Sequence, residues 1–375
     1  MSYKKWIIVT LAFTLVLCVC SMGLNYYGDT FDYFGAMAGK VDRITSDKGY
    51  TRVIKAKYIE RNADQYNAVV IGGSKAGAID TETLNEVTGL QFYNSYFTSG
   101  CFRDYLAYAD YYLDTMKLEE MVLHISSIEI NAYEPTGSSK MLDLPAVVTG
   151  ESKAKEAFSF LIVNVDESAK KIGKQLLGKS DDFYEDKIDG TRDLKKYYSL
   201  DAEEIVSSST LMDYDIEMDT LCLEQERDTD AYEDNLLALE QIKEMCDEKG
   251  VKFTVIVGAS FIGEKARYEG DVFYDYLRDI VEITEVYDFS GFYDVNLNPY
   301  NFYNSGHYYY EVADEMIRIV YGDKENTEFG TLLNEDNIDN YITERSAAYD
   351  KILEEYNSTG SVELLGREDT SNLCR

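Results

Sequence analysis

The chain has few of the residues that build metal sites and disulfide frameworks, with two histidines and six cysteines among 375 residues. Cys18 and Cys20 lie in an apolar run near the N-terminus, and the others are widely separated, at Cys101, Cys222, Cys246 and Cys374. Zinc sites need clustered Cys and His ligands, and disulfide-rich domains need many cysteines in a short chain. We therefore expect no metal and no disulfide framework, although a single bridge, for instance from Cys222 to Cys246, stays open.

Positive charge is also scarce, because 36 Lys and Arg stand against 69 Asp and Glu, for a net charge of -33. Nucleic acids and anionic lipid surfaces are polyanions and repel such a chain. We therefore expect no nucleic-acid partner. The chain is nevertheless 45% hydrophobic and 28% charged, which is typical of a folded protein rather than a disordered one.

One apolar run, from Trp6 to Leu24, is long enough to cross a bilayer, because 19 helical residues span about 28 Å. Lys4 and Lys5 precede it, and a basic flank stays on the cytoplasmic side of a membrane. A cleaved signal peptide is the alternative, but no small-x-small cleavage site follows the run. The sequence predicts a single-pass anchor at 6–24, a cytoplasmic tip at 1–5, and an extracytoplasmic location for the remainder.

Short apolar runs alternate with helical patterns along the middle of the chain. Strands are predicted at 68–71, 90–93, 121–125, 251–257 and 285–289, and helices at 81–87, 101–116, 230–249, 273–284 and 308–321. Strands that are apolar throughout and separated by helices are typical of a parallel sheet covered on both faces. The sequence therefore predicts an α/β fold.

The alternation also suggests domain boundaries. We expect a stalk or entry segment at 25–65 and an α/β domain at 66–321. The alternation breaks at about 133–229, which holds two of the three prolines and is expected to be a helical insertion. Residues 322–375 are expected to form a helical C-terminal tail.

Ser74 is the first candidate for chemistry, because it follows the strand at 68–71 directly, behind Gly72 and Gly73. Groups at the carboxyl ends of parallel strands face the ligand crevice of an open α/β sheet. A serine on such a tight turn can project its hydroxyl, while its backbone N–H can bind an oxyanion. The alternative interpretation of Gly-Gly-Ser is a plain turn and helix cap.

His307 is the candidate base, because it stands on a loop just before the last helix of the predicted α/β domain. A serine nucleophile needs such a base. The other histidine, His124, lies inside an apolar strand, which favours a core histidine. A serine after the first strand together with a histidine before the last helix is a more specific pattern than either residue alone.

This pair resembles the SGNH/GDSL hydrolase-like superfamily, in which a Gly-x-Ser block follows the first strand and an Asp-x-x-His block lies near the end of the domain. The first block matches Gly72-Gly73-Ser74, and the second matches Asn304-Ser305-Gly306-His307, with Asn in place of Asp. The resemblance covers about 66–321 and implies a three-layer, flavodoxin-like fold. It also implies that Ser74 is the nucleophile, that His307 is the general base and that no cofactor is used.

The resemblance suggests further roles at the same site. Oxyanion donors would be the backbone N–H groups of Ser74 and Gly100, with Asn94 as an alternative, and the family's third-block Asn is missing from Ser126-Ser127-Ile128-Glu129. Asn304 would orient His307 through its carbonyl oxygen. Asp288, or Asp294, is the alternative source of an orienting group.

Membrane-anchored members of this superfamily act in bacterial cell-envelope acylation, including D-alanylation of lipoteichoic acid and acetylation of alginate-type polymers. The implied function is acyl transfer to, or deacylation of, a cell-surface glycopolymer, together with an integral-membrane acyl-transfer partner. The alternative is a non-catalytic accessory or binding protein on the same fold, which Asn304 and the missing third-block Asn favour. A solute-binding or adhesive ectodomain is a third possibility.

Overall fold

A computed structural model of the chain describes residues 2–31, 33–35, 43–44, 50–130, 133–135, 140–163, 165–178, 186–198, 229–265, 268–304, 306–322, 328–360 and 362–374. The chain forms two compact units. The first unit comprises Met1–Asn62 and Ser139–Ile188, and the second comprises Ala63–Ser138 and Asp189–Arg375. The predicted insertion at 133–229 is therefore divided between the units, and its part from Ser139 to Ile188 joins the N-terminal segment in the first unit.

The described helices and strands have the following bounds. The helices are α1 (Tyr3–Gly28), α2 (Thr51–Asn62), α3 (Thr81–Thr88), α4 (Phe102–Thr115), α5 (Ala146–Thr149), α6 (Lys153–Ile162), α7 (Val165–Leu176), α8 (Lys195–Tyr198), α9 (Thr229–Lys249), α10 (Ile262–Lys265), α11 (Asp271–Ile283), α12 (Asp294–Leu297), α13 (Tyr310–Val320) and α14 (Ile338–Thr359). The strands of the main sheet are β1 (Ala68–Gly72), β2 (Phe92–Tyr96), β3 (Glu120–Ile125), β4 (Lys252–Val257), β5 (Val286–Asp288) and β6 (Thr331–Leu333). Short 3₁₀ turns occupy Ala63–Gln65, Ser74–Ala78, Ser127–Glu129, Lys140–Leu142 and Pro299–Asn301.

The first unit is built on α1, which is the one described helix long and apolar enough to cross a membrane. Helices α6 and α7 pack against α1, and α2 packs against α5. A small aromatic core joins Phe31, Tyr33 and Phe160, with the Tyr33 and Phe160 rings stacked at 4.7 Å. A two-residue antiparallel pairing of Arg43–Ile44 with Asp186–Lys187 completes the unit.

The second unit contains a six-stranded sheet in the order β6-β5-β4-β3-β1-β2. Every neighbouring pair is parallel except β6 with β5. The predicted α/β fold with a mostly parallel sheet is thus confirmed. The chain moves to one side of β1 to form β2 and to the other side to form β3, and such a switch point opens a crevice at the carboxyl ends of the strands. Residues that follow β1, β2 and β3 can therefore meet there.

The sequence explains why β1 occupies the centre of the sheet. Its Ala-Val-Val-Ile-Gly segment is buried at every position, as a parallel strand covered on both faces requires. Helix α3 is capped at its start by Asp80, whose side chain accepts a hydrogen bond from Glu82 N–H, and at its end by Gly89, which has a left-handed φ of 76°. The buried strand and its capped helix hold the turn at Ser74 between them.

Candidate active site

Two glycines fix the turn that carries Ser74, because neighbouring groups leave no room for side chains. A Cβ on Gly72 would lie 2.6 Å from the His124 carbonyl oxygen, and a Cβ on Gly73 would lie 2.7 Å from Glu129 Oε1. At Gly72 the close atom belongs to the backbone of β3, so only glycine fits there, and a side chain at position 73 would have to displace the Glu129 carboxylate. The turn thus holds Ser74 directly at the carboxyl end of β1, as the sequence predicts.

His307 reaches Ser74 from a short hairpin, in which Phe302–Asn304 pairs with His307–Tyr308. His307 Nε2 lies 2.8 Å from Ser74 Oγ, a hydrogen-bond distance between residues 233 positions apart in sequence. The adjacent Tyr308 is buried, and its hydroxyl lies 2.9 Å from His124 Nε2. His124 is accordingly a core histidine, and its contact with Tyr308 ties the hairpin to β3.

The hydrogen bonds of Asn304 determine which nitrogen of His307 carries the proton. Asn304 Oδ1 accepts a hydrogen bond from the Gly306 backbone N–H at 3.0 Å, so the atom facing Gly306 is the oxygen and not the amide nitrogen. The same oxygen lies 2.9 Å from His307 Nδ1, which must then donate. His307 Nε2 is left without a proton and accepts the hydrogen bond of the Ser74 hydroxyl. This tautomer is the one a general base needs.

A carboxylate at position 304 should increase the reactivity of Ser74. Asn304→Asp retains an acceptor for both N–H groups and adds a negative charge that stabilises the imidazolium, so we expect about tenfold faster labelling by a fluorophosphonate, or about 1.4 kcal/mol. Asn304→Leu removes the acceptor and should slow labelling at least ~100-fold. Both rates are measured by intact mass on the full chain in detergent. Labelling of Asn304→Leu at the wild-type rate would show that Asn304 does not orient His307.

The surroundings keep both histidines neutral near pH 7. Desolvation by burial lowers the pKa of His307 well below its ordinary value, and the Arg192 guanidinium and the Lys75 ammonium lower it further. Burial likewise lowers the pKa of His124 to about 3, with Lys75 again contributing. Lys75 is buried, and its Nζ donates to Ser260 Oγ at 2.8 Å. His307 is therefore available as a proton acceptor throughout the physiological range.

The pKa values of the two histidines predict a stability loss in acid. Each folded pKa lies below the unfolded value of about 6.5, so their contribution to stability is complete above that pH and is lost as the pH falls toward the folded pKa. We expect no imidazole titration between pH 8 and 6 in the folded chain, measured by NMR with ¹³C-labelled histidine. A midpoint near 6.5 for either residue in the folded chain would contradict the structure.

Asp288 does not orient His307, which corrects one of the alternatives given by the sequence. It is buried at the end of β5 and accepts hydrogen bonds from Ser290 N–H at 2.7 Å, Tyr341 hydroxyl at 2.8 Å and Arg345 Nη1 at 2.7 Å. Arg345 also makes two hydrogen bonds to Glu269. Asp288 thus belongs to a buried ion-pair network, and Asn304 holds the orienting position. The other alternative, Asp294, begins α12 and has no described contact with His307.

Asn94 cannot serve as the oxyanion donor that the sequence offered as an alternative. It is fully buried, and its Nδ2 donates to the Ala76 and Ile79 carbonyl oxygens, both at 2.8 Å, so neither amide hydrogen remains. Gly100 does line the pocket, but its N–H donates to the Phe97 carbonyl oxygen at 3.2 Å. The backbone N–H of Ser74 stands at the start of its 3₁₀ turn, where the first N–H groups have no acceptor within the turn.

A pocket of about 460 Å³ opens in front of Ser74 and His307. Sequence reasoning missed two of its charged wall residues, Glu129 and Arg192. Glu129 is buried, accepts hydrogen bonds from Ser126 N–H and Oγ, and has its pKa raised to about 7 by desolvation. The capping pattern from Ser126 to Glu129 was a usable signal for the first residue. Arg192 is isolated in a segment with no clear periodicity, so no signal pointed to it.

The remaining sequence expectations concern cysteines and metals. Cys246 is a buried thiol without a disulfide bond, and Cys222 lies outside the described residues. In the described part of the chain, no three His, Cys, Asp or Glu side chains are grouped so that they could hold a metal ion. Comparison with known proteins gives no family: the sequence matches no protein-family model and no curated protein.

Proposed function

We propose that the protein performs acyl-ester chemistry at Ser74, as an extracytoplasmic O-acyltransferase or acyl esterase for a cell-surface polysaccharide or teichoic-acid-like polymer. The observation that supports it best is the hydrogen-bonded series from Ser74 through His307 to Asn304. A serine, a neutral imidazole in the accepting tautomer and an orienting amide are the parts a nucleophilic serine needs. Ser74 and His307 line a pocket large enough for a substrate, and Asn304 contacts His307 from behind.

The chemistry would proceed in two steps. Ser74 Oγ attacks the acyl carbonyl and passes its proton to His307 Nε2, and the ester oxygen leaves with that proton as an alcohol. An incoming hydroxyl then gives its proton to His307 and attacks the acyl-enzyme, which returns Ser74 to its original state. With a sugar hydroxyl the second step is transfer, and with water it is hydrolysis.

The proposed family is the SGNH/GDSL hydrolase-like superfamily, with its three-layer arrangement. Its support is the position of Ser74 after β1 and of His307 before α13, at the switch point of the strand order. The length and apolar character of α1 support anchoring in the cell membrane with the body outside. There the protein would partner an integral-membrane acyl-transfer protein and act on a glycopolymer.

One observation favours a second candidate, a non-catalytic accessory or binding protein on the same fold. The Gly100 N–H, an expected oxyanion donor, is bonded to Phe97, and in the block that lacks the family's Asn the Ser126 hydroxyl is bonded to Glu129. An oxyanion left with one donor loses much of its stabilisation. In this case the pocket would bind an acylated ligand without turning it over.

Fluorophosphonate labelling of the full chain in detergent separates the two candidates. We expect one adduct by intact mass, absent from Ser74→Ala. Ser99→Gly is a matched control, because it removes another hydroxyl that lines the pocket and suits the left-handed φ of 49° at that position. Labelling of Ser99→Gly at the wild-type rate would support an activated Ser74, whereas no adduct in any form would favour the non-catalytic candidate.

A further inference from the structure

The Arg192 side chain lines the same pocket as Ser74 and His307 and is only partly exposed. Its guanidinium lies over the Tyr96 ring at 4.7 Å, with Nε 3.4 Å from the Tyr96 hydroxyl and Nη1 3.4 Å from the Tyr303 hydroxyl. The Tyr303 ring in turn stacks on the His307 imidazole, with centroids 5.5 Å apart. Two phenols thus hold the guanidinium beside the reactive pair.

No carboxylate neutralises Arg192 within the part of the chain that the structure describes. Arg103 and Arg345 provide a contrast, because each contacts two carboxylates within 3.0 Å. Of the acids on the pocket wall, Glu134 pairs with Arg103, and Glu129 is bonded to Ser126. The chain has a net charge of -33, yet the Arg192 guanidinium contacts phenols and no carboxylate among the described residues. Its positive charge is therefore available to attract an anionic ligand.

We infer that Arg192 binds an anionic group of the substrate, a carboxylate or a phosphate, and so places the acyl carbonyl next to Ser74. The planar guanidinium offers several N–H donors in a fork that matches both groups. Its Nη2 makes no hydrogen bond with the described residues and is available to such a ligand. This inference rests on the proposed function and adds a substrate class to it.

Paired esters test the inference on the full chain in detergent. We compare kcat/KM for 4-nitrophenyl acetate, 4-nitrophenyl hemisuccinate and 4-nitrophenyl phosphonoacetate, which carry no charge, a carboxylate and a phosphonate. In Arg192→Met, the ratio of anionic to neutral kcat/KM should fall ~10- to 100-fold, mainly through KM, with partial recovery in Arg192→Lys. Arg318→Met, which breaks a surface pair with Glu86, is the control. A ratio unchanged in Arg192→Met would overturn the inference.

A binding measurement keeps this test separate from that of the proposed function. If the wild type neither turns over an ester nor is labelled at Ser74, the proposed function fails, but calorimetric titration with methyl succinate and phenyl phosphate still examines Arg192. Binding by the wild type that is lost in Arg192→Met would support an anion site, and the tighter ligand would identify the group. Absence of binding to either ligand would overturn the inference.

Helices α6 and α7 of the first unit form a second surface of interest, which is independent of the pocket at Arg192. Helices α6 and α7 are fastened to the last turn of α1. Asn25 Nδ2 donates to the carbonyl oxygens of Leu161 and Val163, both at 2.8 Å, and Lys171 Nζ donates to the Asp29 carbonyl oxygen at 2.8 Å. A Cβ on Gly28 would lie 2.9 Å from Ser168, so α7 meets α1 in close contact.

These two helices also expose large apolar side chains. Phe158 and Ile162 on α6 are 54% and 53% exposed, and Leu176 and Leu177 at the end of α7 are 83% and 74% exposed. Tyr26 and Tyr27, at the same end of α1, are exposed as well. Aromatic side chains at the end of an apolar helix are typical of the membrane–water interface. These features therefore favour contact of the exposed apolar side chains with lipid.

Resting on the proposed anchoring of α1, we propose that Phe158, Ile162, Leu176 and Leu177 lie in the headgroup and upper acyl region of the bilayer that α1 enters. Amphipathic helices bind there through their apolar side chains. The acidic chain as a whole is repelled by anionic lipid, so attachment through apolar side chains beside an anchor suits its charge.

Brominated lipids test this placement in the reconstituted full chain. Trp6, the only tryptophan, is first replaced by Phe, and a probe is introduced as Leu176→Trp or, as control, Leu237→Trp on α9, where the leucine is 51% exposed. In vesicles of dibrominated phosphatidylcholine we expect fluorescence at 176 to fall at least ~2-fold and fluorescence at 237 to be unchanged, since bromine quenches only at contact. Equal fluorescence at 176 in brominated and ordinary lipid would overturn the proposal and favour a protein occupant.

Discussion

His307→Ala should lower the rate of Ser74 labelling by at least ~10³-fold, about 4 kcal/mol of activation free energy. The reason is the tautomer that Asn304 imposes: Nε2 is the acceptor of the Ser74 hydroxyl proton, at 2.8 Å. No other imidazole can substitute, because His124 is fully buried and bonded to Tyr308. The rate is measured on the full chain with the same fluorophosphonate.

Chemical rescue is the control for this variant. His307→Ala leaves an opening where the imidazole stood, so added imidazole should restore part of the labelling rate, and should restore none in Ser74→Ala. A merely structural role for His307 would give loss without rescue. His307→Ala that is labelled at the wild-type rate would mean that the serine is not activated by this histidine.

Arg345→Met should cause the largest loss of stability, about 3–5 kcal/mol. Arg345 is 4% exposed and contacts Glu269 at 2.6 Å and Asp288 at 2.7 Å. Methionine fills part of the volume but leaves two buried carboxylates without their cation. For a unit of this size, such a loss lowers Tm by roughly 5–10 °C, as a thermal melt of the full chain can detect.

Arg278→Met is the matched control for that melt. Arg278 contacts Asp275 and Asp339 at 3.1 Å and 3.0 Å, but it lies at the surface, with 40% of its side chain exposed. Surface pairs contribute at most about 1 kcal/mol, so Tm should change by a few degrees or less. Equal shifts in the two variants would contradict the importance of the buried network.

The sheet was largely predictable from the sequence because its strands are continuous apolar runs. The run 68–71 became β1 with one added residue, and 251–257 became β4 with its first residue omitted. The second strand lies at Phe92–Tyr96 rather than 90–93, because its polar Asn94 and Ser95 hid it from a hydrophobic criterion. The edge strand β6 has three residues and forms only through pairing with β5, which no local pattern indicates.

The candidate site was predictable for those residues whose type and place in the chain already indicate a role. Ser74 follows β1, and His307 is the one histidine outside the strands of the main sheet, so their meeting could be anticipated from strand order. Their roles stay predictions. The choice of Asn304 over Asp288 depended on Arg345, which is far along the chain and occupies Asp288. Arg192 is defined by its phenol partners, Tyr96 and Tyr303, and such contacts exist only in the folded chain.

The acyl-enzyme itself tests the proposed function most directly. The full chain in detergent is mixed with 4-nitrophenyl acetate, quenched in acid within seconds, and analysed by intact mass and peptide mapping. We predict a gain of one acetyl group on the peptide that contains Ser74, with no gain in Ser74→Ala. Acetylation confined to lysines, or identical in wild type and Ser74→Ala, would contradict a nucleophilic role for Ser74.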